Sequence, residues 1–152
     1  MFEEKIKEIT GQELPTAPKP LAAYIPAQMT GNLVFTSGQL PMKEGKLIAE
    51  GKVAGVVSEE VAIQCAQQCA VNCISAVKSV IGDLEKIEQI VKVVVFVNSS
   101  AGFSGQPKIA NGASEFLVQV FGEQGKHARS AVGVSELPLN APVEIEMIVR
   151  VK

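Results

Sequence analysis

The stretch "IEQIVKVVVFVN", residues 87–98, limits the fold more than any other part of the chain. A strand half in water alternates apolar and polar residues, whereas Val91, Val93, Val94, Val95, Phe96 and Val97 are apolar on both sides. This segment is therefore a strand in the middle of a sheet, covered on one face by helices and on the other by something else.

The helices that could cover it are legible on either side. Ser58 reads as an N-cap, with Glu59 and Glu60 in the first turn where carboxylates favour the helix dipole. Ala62, Ala66, Cys69, Cys73, Val77 and Val80 then recur in steps of three or four, widened by Ala70 and Ile74, and Gly82 closes the helix. A second helix spans roughly Pro107 to Phe121 and is ended by Gly122 and Gly125. Upstream, residues 2–10 suit a short amphipathic helix stopped by Gly11. "LPTAPKPLAAYIPAQ" reads as an extended arm and "NLVFTSGQL" as a strand from Leu33 to Ser37. "MKEGKLIAEGKVAG" is a loop with a hairpin-like Gly-Lys turn. Residues 127–151 read as two strands joined in a hairpin.

The order strand, helix, strand, helix, strand, strand gives an α+β domain with a single mixed β-sheet and two helices on one face. We assign residues 1–20 to an N-terminal helix and arm and residues 21–152 to one domain. The sheet's second face then holds many valines and isoleucines, a patch that a monomer would leave exposed, so oligomerisation through that face is expected.

The totals exclude several functions. With 152 residues, 47% hydrophobic and 20% charged, the chain can bury a real core. A net charge of −2 and the absence of tryptophan leave little for a nucleic-acid partner. No apolar run is long enough to span a bilayer, and "MFEEKIKEIT" lacks a signal-peptide core, so the expectation is a cytoplasmic protein with no membrane partner. Cys65, Cys69 and Cys73 share one helical face, far in sequence from the single histidine, His127. They read as small apolar fillers, so no metal site is expected.

The charges inside the last two strands raise the functional question, since a charge in a strand is costly unless it meets water, a partner or a ligand. Alternation puts Arg129 with Ala131 and Gly133, small neighbours that leave space beside a guanidinium. Such an arginine can grip a carboxylate with two parallel hydrogen bonds. On the final strand Val143, Ile145, Met147, Val149 and Val151 share one face; Glu144, Glu146, Ile148 and Arg150 share the other. Glu146 reads as an ordinary outward residue, while spacing leaves open whether Glu144 acts at a rim or meets Arg129.

"TSGQLP" after a strand, then "ARSAVGVSELP" and "VEIEMI" in that order, resemble the Rid family, also called YjgF. The likeness runs from about Leu21 to Val151. It implies a chorismate-mutase-like fold and a homotrimer with sheets inward as a β-barrel core. Ligand pockets would lie at subunit interfaces, for a small carboxylate-bearing substrate. Deaminase members hydrolyse reactive enamines and imines, such as 2-aminoacrylate, to 2-keto acids and ammonia without a cofactor. By this resemblance Arg129 binds the carboxylate and Glu144 helps activate water. Ala131 offers backbone groups near the reacting carbon, at a position where typical deaminases carry cysteine. Tyr24, Ser37, Gly38 and Asn111 complete the substrate-binding set. Read from the residues alone, Tyr24 fits core packing equally well, Gly38 a plain turn and Asn111 a capping or surface role. The extension and the loop over 42–57 suggest a longer-chain branch. The alternatives are a carboxylate-binding trimer without turnover and an endoribonuclease using His127. The acidic pI near 5.5 disfavours the endoribonuclease.

Overall fold

The structure is a computed structural model that describes residues 1–17, 19 and 22–152. The expected arm covers Pro18, Pro20 and Leu21, so those positions, and the boundary placed between residues 20 and 21, lie outside the described residues. The elements are α1 (Phe2–Thr10), β1 (Ala27–Thr30), β2 (Leu33–Thr36), β3 (Met42–Lys43), β4 (Lys46–Leu47), α2 (Glu59–Ile81), β5 (Ile87–Asn98), α3 (Gln106–Phe121), β6 (Ala128–Val134) and β7 (Val143–Val151). Among the described residues no helix is long and apolar enough to cross a membrane.

Each helix starts and stops for local reasons. The Ser58 hydroxyl accepts the Val61 N–H at 3.2 Å and caps α2. Pro107 sits in the first turn of α3, where its missing N–H costs nothing. Gly11, left-handed at φ 75°, closes α1. The amphipathic helix expected over residues 2–10 is α1, and it joins the two helices expected on the sheet. Ile6 of α1 is fully buried, Phe2 meets Phe121 with ring centroids 4.7 Å apart, and Glu3 pairs with Lys78 at 2.7 Å. Burying that apolar stripe draws α1 onto the same layer.

The sheet runs β1-β2-β7-β5-β6. Here the expected hairpin over 127–151 is wrong. β6 pairs in parallel with β5, as a helical crossover through α3 requires, and β7 pairs antiparallel with β5 on its other side. The chain must therefore cross the end of β5 between β6 and β7. Asn98, fully buried there, donates to the Ala141 carbonyl at 3.1 Å and to Asn140 Oδ1 at 3.3 Å, holding the crossing in place. Composition explains the order: the more apolar "VEIEMIVRV" takes the interior, and "ARSAVGV", with its arginine, serine and glycine, takes an edge. The Gly-Lys turn appears as the short β3–β4 hairpin.

One sheet face is sealed by the helices: Val34, Ile90, Val93, Val95, Val97, Ile145, Met147 and Val149 are buried. The three cysteines are buried with them, and Cys69 and Cys73 lie against the Val143 and Ile145 carbonyls. The opposite face carries Phe35, Val94, Phe96, Val132 and Ile148 together with Lys92 and Glu146. Phe35 is 39% and Val132 43% exposed. A shallow cavity of about 110 Å³ lies there, lined by Phe35, Thr36, Lys92, Val94, Glu146 and Ile148 among others. The uncovered apolar face inferred from the sequence is thus present.

Candidate active site

One half of the site grows out of a defect in the sheet. Phe35 pairs with Ile148 and Gln39 with Ile145, so four steps along one strand oppose three on the other. The extra residue makes a β-bulge, a device that re-aims side chains and terminates pairing. At its start Thr36 Oγ1 accepts the Met147 N–H at 3.0 Å in place of a ladder partner. The Ser37 hydroxyl turns the other way and donates to the Ile25 carbonyl at 2.6 Å, tying the N-terminal arm to the sheet.

Gly38, inside the bulge, lies against Glu144. A Cβ there would sit 2.9 Å from Glu144 Cδ and 3.0 Å from Oε2, so only glycine lets the carboxylate lie where it does. Among the described residues the Gly38 N–H has no hydrogen-bond partner in the protein. Glu144 is half-buried, and burial, followed by the charge of Glu146, raises its pKa above the ordinary carboxylate value. Gly38, Glu144, Tyr24, Pro26, Gln39 and Leu139 line a cleft of about 310 Å³. Tyr24 is 59% exposed, so the alternative of core packing beneath the prolines is wrong. Leu139 is held at φ 56°, a left-handed conformation that a leucine rarely adopts.

The other half lies around Arg129. Because Arg129 pairs with Val93 and Ala131 with Val95, both point to the helix side of the sheet. Arg129 Nη1 donates to Asn111 Oδ1 at 2.8 Å and to Ser114 Oγ at 3.1 Å. Both acceptors are neutral, and among the described residues no carboxylate pairs with the guanidinium. Asn111 does not cap α3, whose N-cap is Gly105; it orients the arginine instead. Ala131, partly buried, packs against the core beside this group.

The expected residues therefore fall into two groups. Tyr24, Ser37, Gly38 and Glu144 cluster at the bulge; Arg129, Asn111 and Ala131 cluster between β6 and α3. Glu144 pairs with Phe96, on the open face, so Arg129 and Glu144 do not meet within one chain. Arg150 makes a 3.2 Å ion pair with Glu88. Sequence reasoning does not reach Ser114, although its place three residues after Asn111 on one helix face is a usable signal. His127 is half-buried and bonded at both nitrogens.

Residues 4–150 match the family model described as "YjgF/chorismate_mutase-like, putative endoribonuclease". The chain is 38% identical over 140 residues to Protein TCP17 of Trypanosoma cruzi, covering 91% of this chain and 88% of the relative. It is 37% identical over 135 residues to a 2-iminobutanoate/2-iminopropanoate deaminase of Dermatophagoides farinae, covering 89% and 91%. A crystal structure of a protein of unknown function from Agrobacterium tumefaciens superposes with TM-score 0.93 at 43% identity, covering 99% of this chain and 92% of that one.

Proposed function

This chain belongs to the Rid (YjgF) family, and we propose that it is a hydrolytic deaminase of reactive enamine and imine intermediates. Its substrate is a small 2-aminoacrylate-like acid, and its products are a 2-keto acid and ammonia. The observation that carries this reading is Arg129: a partly buried guanidinium, held by two neutral oxygens and matched by no acid among the described residues. A group so placed is fit to receive a carboxylate through charge-assisted hydrogen bonds.

The reading includes a homotrimer with the open sheet faces turned inward. The apolar patch of Phe35, Val94, Phe96, Val132 and Ile148 supports it, because burying that patch supplies the driving force. In this assembly the edge strand β6 of one subunit lies against the bulge of the next. Arg129 of one protomer and Glu144 of its partner then share a pocket. We place the activity in the cytoplasm.

The chemistry asks little of the protein. An enamine first takes a proton at carbon to become the imine. Arg129 holds the carboxylate, and the backbone at Ala131 lies near the reacting carbon. Glu144 accepts a proton from water as the oxygen adds to the C=N carbon and the nitrogen gains a proton. The resulting carbinolamine collapses to C=O, the C–N bond breaks and ammonia leaves. Oxidation states do not change, so the hydrolysis needs no redox cofactor. Orientation supplies most of the rate gain, and a positioned carboxylate adds about 10²–10⁴-fold.

Ammonia release from 2-aminoacrylate generated in situ tests the reading. Wild type accelerates it, and Arg129→Ala abolishes the acceleration. Full activity in Arg129→Ala ends the proposal. Saturable 2-ketobutyrate binding without turnover of any imine selects the ligand-binding alternative.

A further inference from the structure

His127 stands just before β6 with both ring nitrogens engaged. Nδ1 is 2.6 Å from the Gly125 carbonyl oxygen, and Nε2 is 2.9 Å from Ser114 Oγ. A carbonyl only accepts, so Nδ1 carries the proton. In the neutral ring Nε2 is then an acceptor, and the Ser114 hydroxyl donates to it. That leaves the serine oxygen's lone pairs for Arg129 Nη1, which donates at 3.1 Å and, as part of a guanidinium, can only donate. Each link from Arg129 Nη1 through Ser114 and His127 to the Gly125 carbonyl thus joins a donor to an acceptor. Burial, then the charge of Arg129, holds the His127 pKa below its ordinary value, which keeps the ring neutral and the donor order as described.

The consequence falls on the guanidinium. Nη1 has two hydrogens, and it meets two oxygens, Asn111 Oδ1 and Ser114 Oγ. The opposite edge, Nε with Nη2, has no partner among the described residues. That edge offers two parallel N–H groups, the geometry that matches a carboxylate.

We propose that His127 and Ser114 form a positioning relay that fixes the rotation of Arg129 and presents its Nε–Nη2 edge to the substrate carboxylate. This rests on the deaminase reading of Arg129 and adds to it two residues that touch no substrate. Asn111 alone would leave the guanidinium free to swing about one hydrogen bond; the serine supplies the second point, and the imidazole decides which way the serine hydroxyl turns.

The test uses the full chain with three readouts: 2-ketobutyrate affinity by calorimetry, KM and kcat on the in situ imine, and melting temperature to confirm folding. Ser114→Ala and His127→Phe each raise Kd and KM about tenfold while kcat moves far less, the scale expected for supporting hydrogen bonds. His127→Gln, whose Oε1 can stand in for Nε2 as acceptor, returns both values to within about twofold of wild type. The double variant Ser114→Ala/His127→Phe is no weaker than the worse single, because the two act in series. Wild-type Kd and KM in Ser114→Ala, which removes one oxygen and spares the fold, overturn the relay. So does a loss that His127→Gln fails to repair, or one confined to kcat. If Arg129→Ala is inactive while these variants behave as wild type, the relay alone falls. If Arg129→Ala keeps both binding and turnover, the deaminase reading falls with it.

Discussion

Arg129 and Glu144 stand on opposite faces of one sheet, on the two strands that flank β5. Arg129 shares the helix side with Val93, and Glu144 shares the open side with Phe96. The proposed site needs both, and it must then draw them from different chains, which ties the proposed activity to the proposed assembly.

Gly38 sets the position of the Glu144 carboxylate. In Gly38→Ala the new methyl lies 2.9 Å from Glu144 Cδ, and the flexible glutamate moves rather than the backbone. If Glu144 activates water as proposed, a displacement of about 1 Å can cost about 10²-fold, so kcat falls by that order while the melting temperature barely changes. Steady-state kinetics beside a thermal melt check this. An unchanged kcat would show that the carboxylate's position does not matter.

His127 makes stability pH-dependent. Its folded pKa lies below the ordinary 6.5, so on acidification the unfolded chain binds a proton more readily than the folded one. Stability is therefore retained above about pH 6.5 and lost as the pH falls through that region. Glu144, with its raised pKa, acts in the opposite sense nearer the carboxylate range, where the folded chain binds the extra proton. Melting temperatures from about pH 7.5 to about 5.5 fall in wild type and fall less in His127→Phe. Parallel curves would contradict the neutral, bonded ring.

Gly112 lets α3 lie close against α2. A Cβ there would sit 2.2 Å from the Ile63 carbonyl oxygen, a backbone atom that cannot step aside without moving α2. Gly112→Ala costs about 2–3 kcal/mol in urea unfolding, as overpacking does. A loss below about 0.5 kcal/mol would mean the helices are free to separate.

All three cysteines are buried, which predicts unreactive thiols in the folded protein. Burial pushes the thiol of Cys65 up to about 11 and that of Cys73 up to about 12, and Cys69 is also raised well above its ordinary value. The thiolate is the reactive form, so iodoacetamide at neutral pH labels none of them until the chain unfolds. Rapid labelling of the native protein would contradict this.

The parts of the fold legible in the sequence are those set by periodicity and caps. Ser58, Gly82 and the cysteine face locate α2, and the valine run locates β5, because local rules decide them. Strand order was not legible. Nothing local tells β7 to pair with β5 and β2 rather than with β6; that follows from the α3 crossover and from which strand has the more apolar faces. Arg129 and Glu144, the residues on which the proposed site rests, stand out in the sequence among apolar neighbours. The bulge at Gly38 and the Ser114–His127 chain do not, because both depend on long-range contacts between residues that look ordinary in sequence.

Mixing two inactive variants tests the shared site most directly. Arg129→Ala and Glu144→Gln are unfolded together in equal amounts, refolded, and assayed for ammonia release from in situ 2-aminoacrylate. If each pocket takes its arginine from one subunit and its glutamate from the next, random assembly rebuilds about a quarter of the pockets, and about a quarter of wild-type activity returns. If the mixture stays as inactive as either variant alone, the two residues do not act together across a subunit boundary.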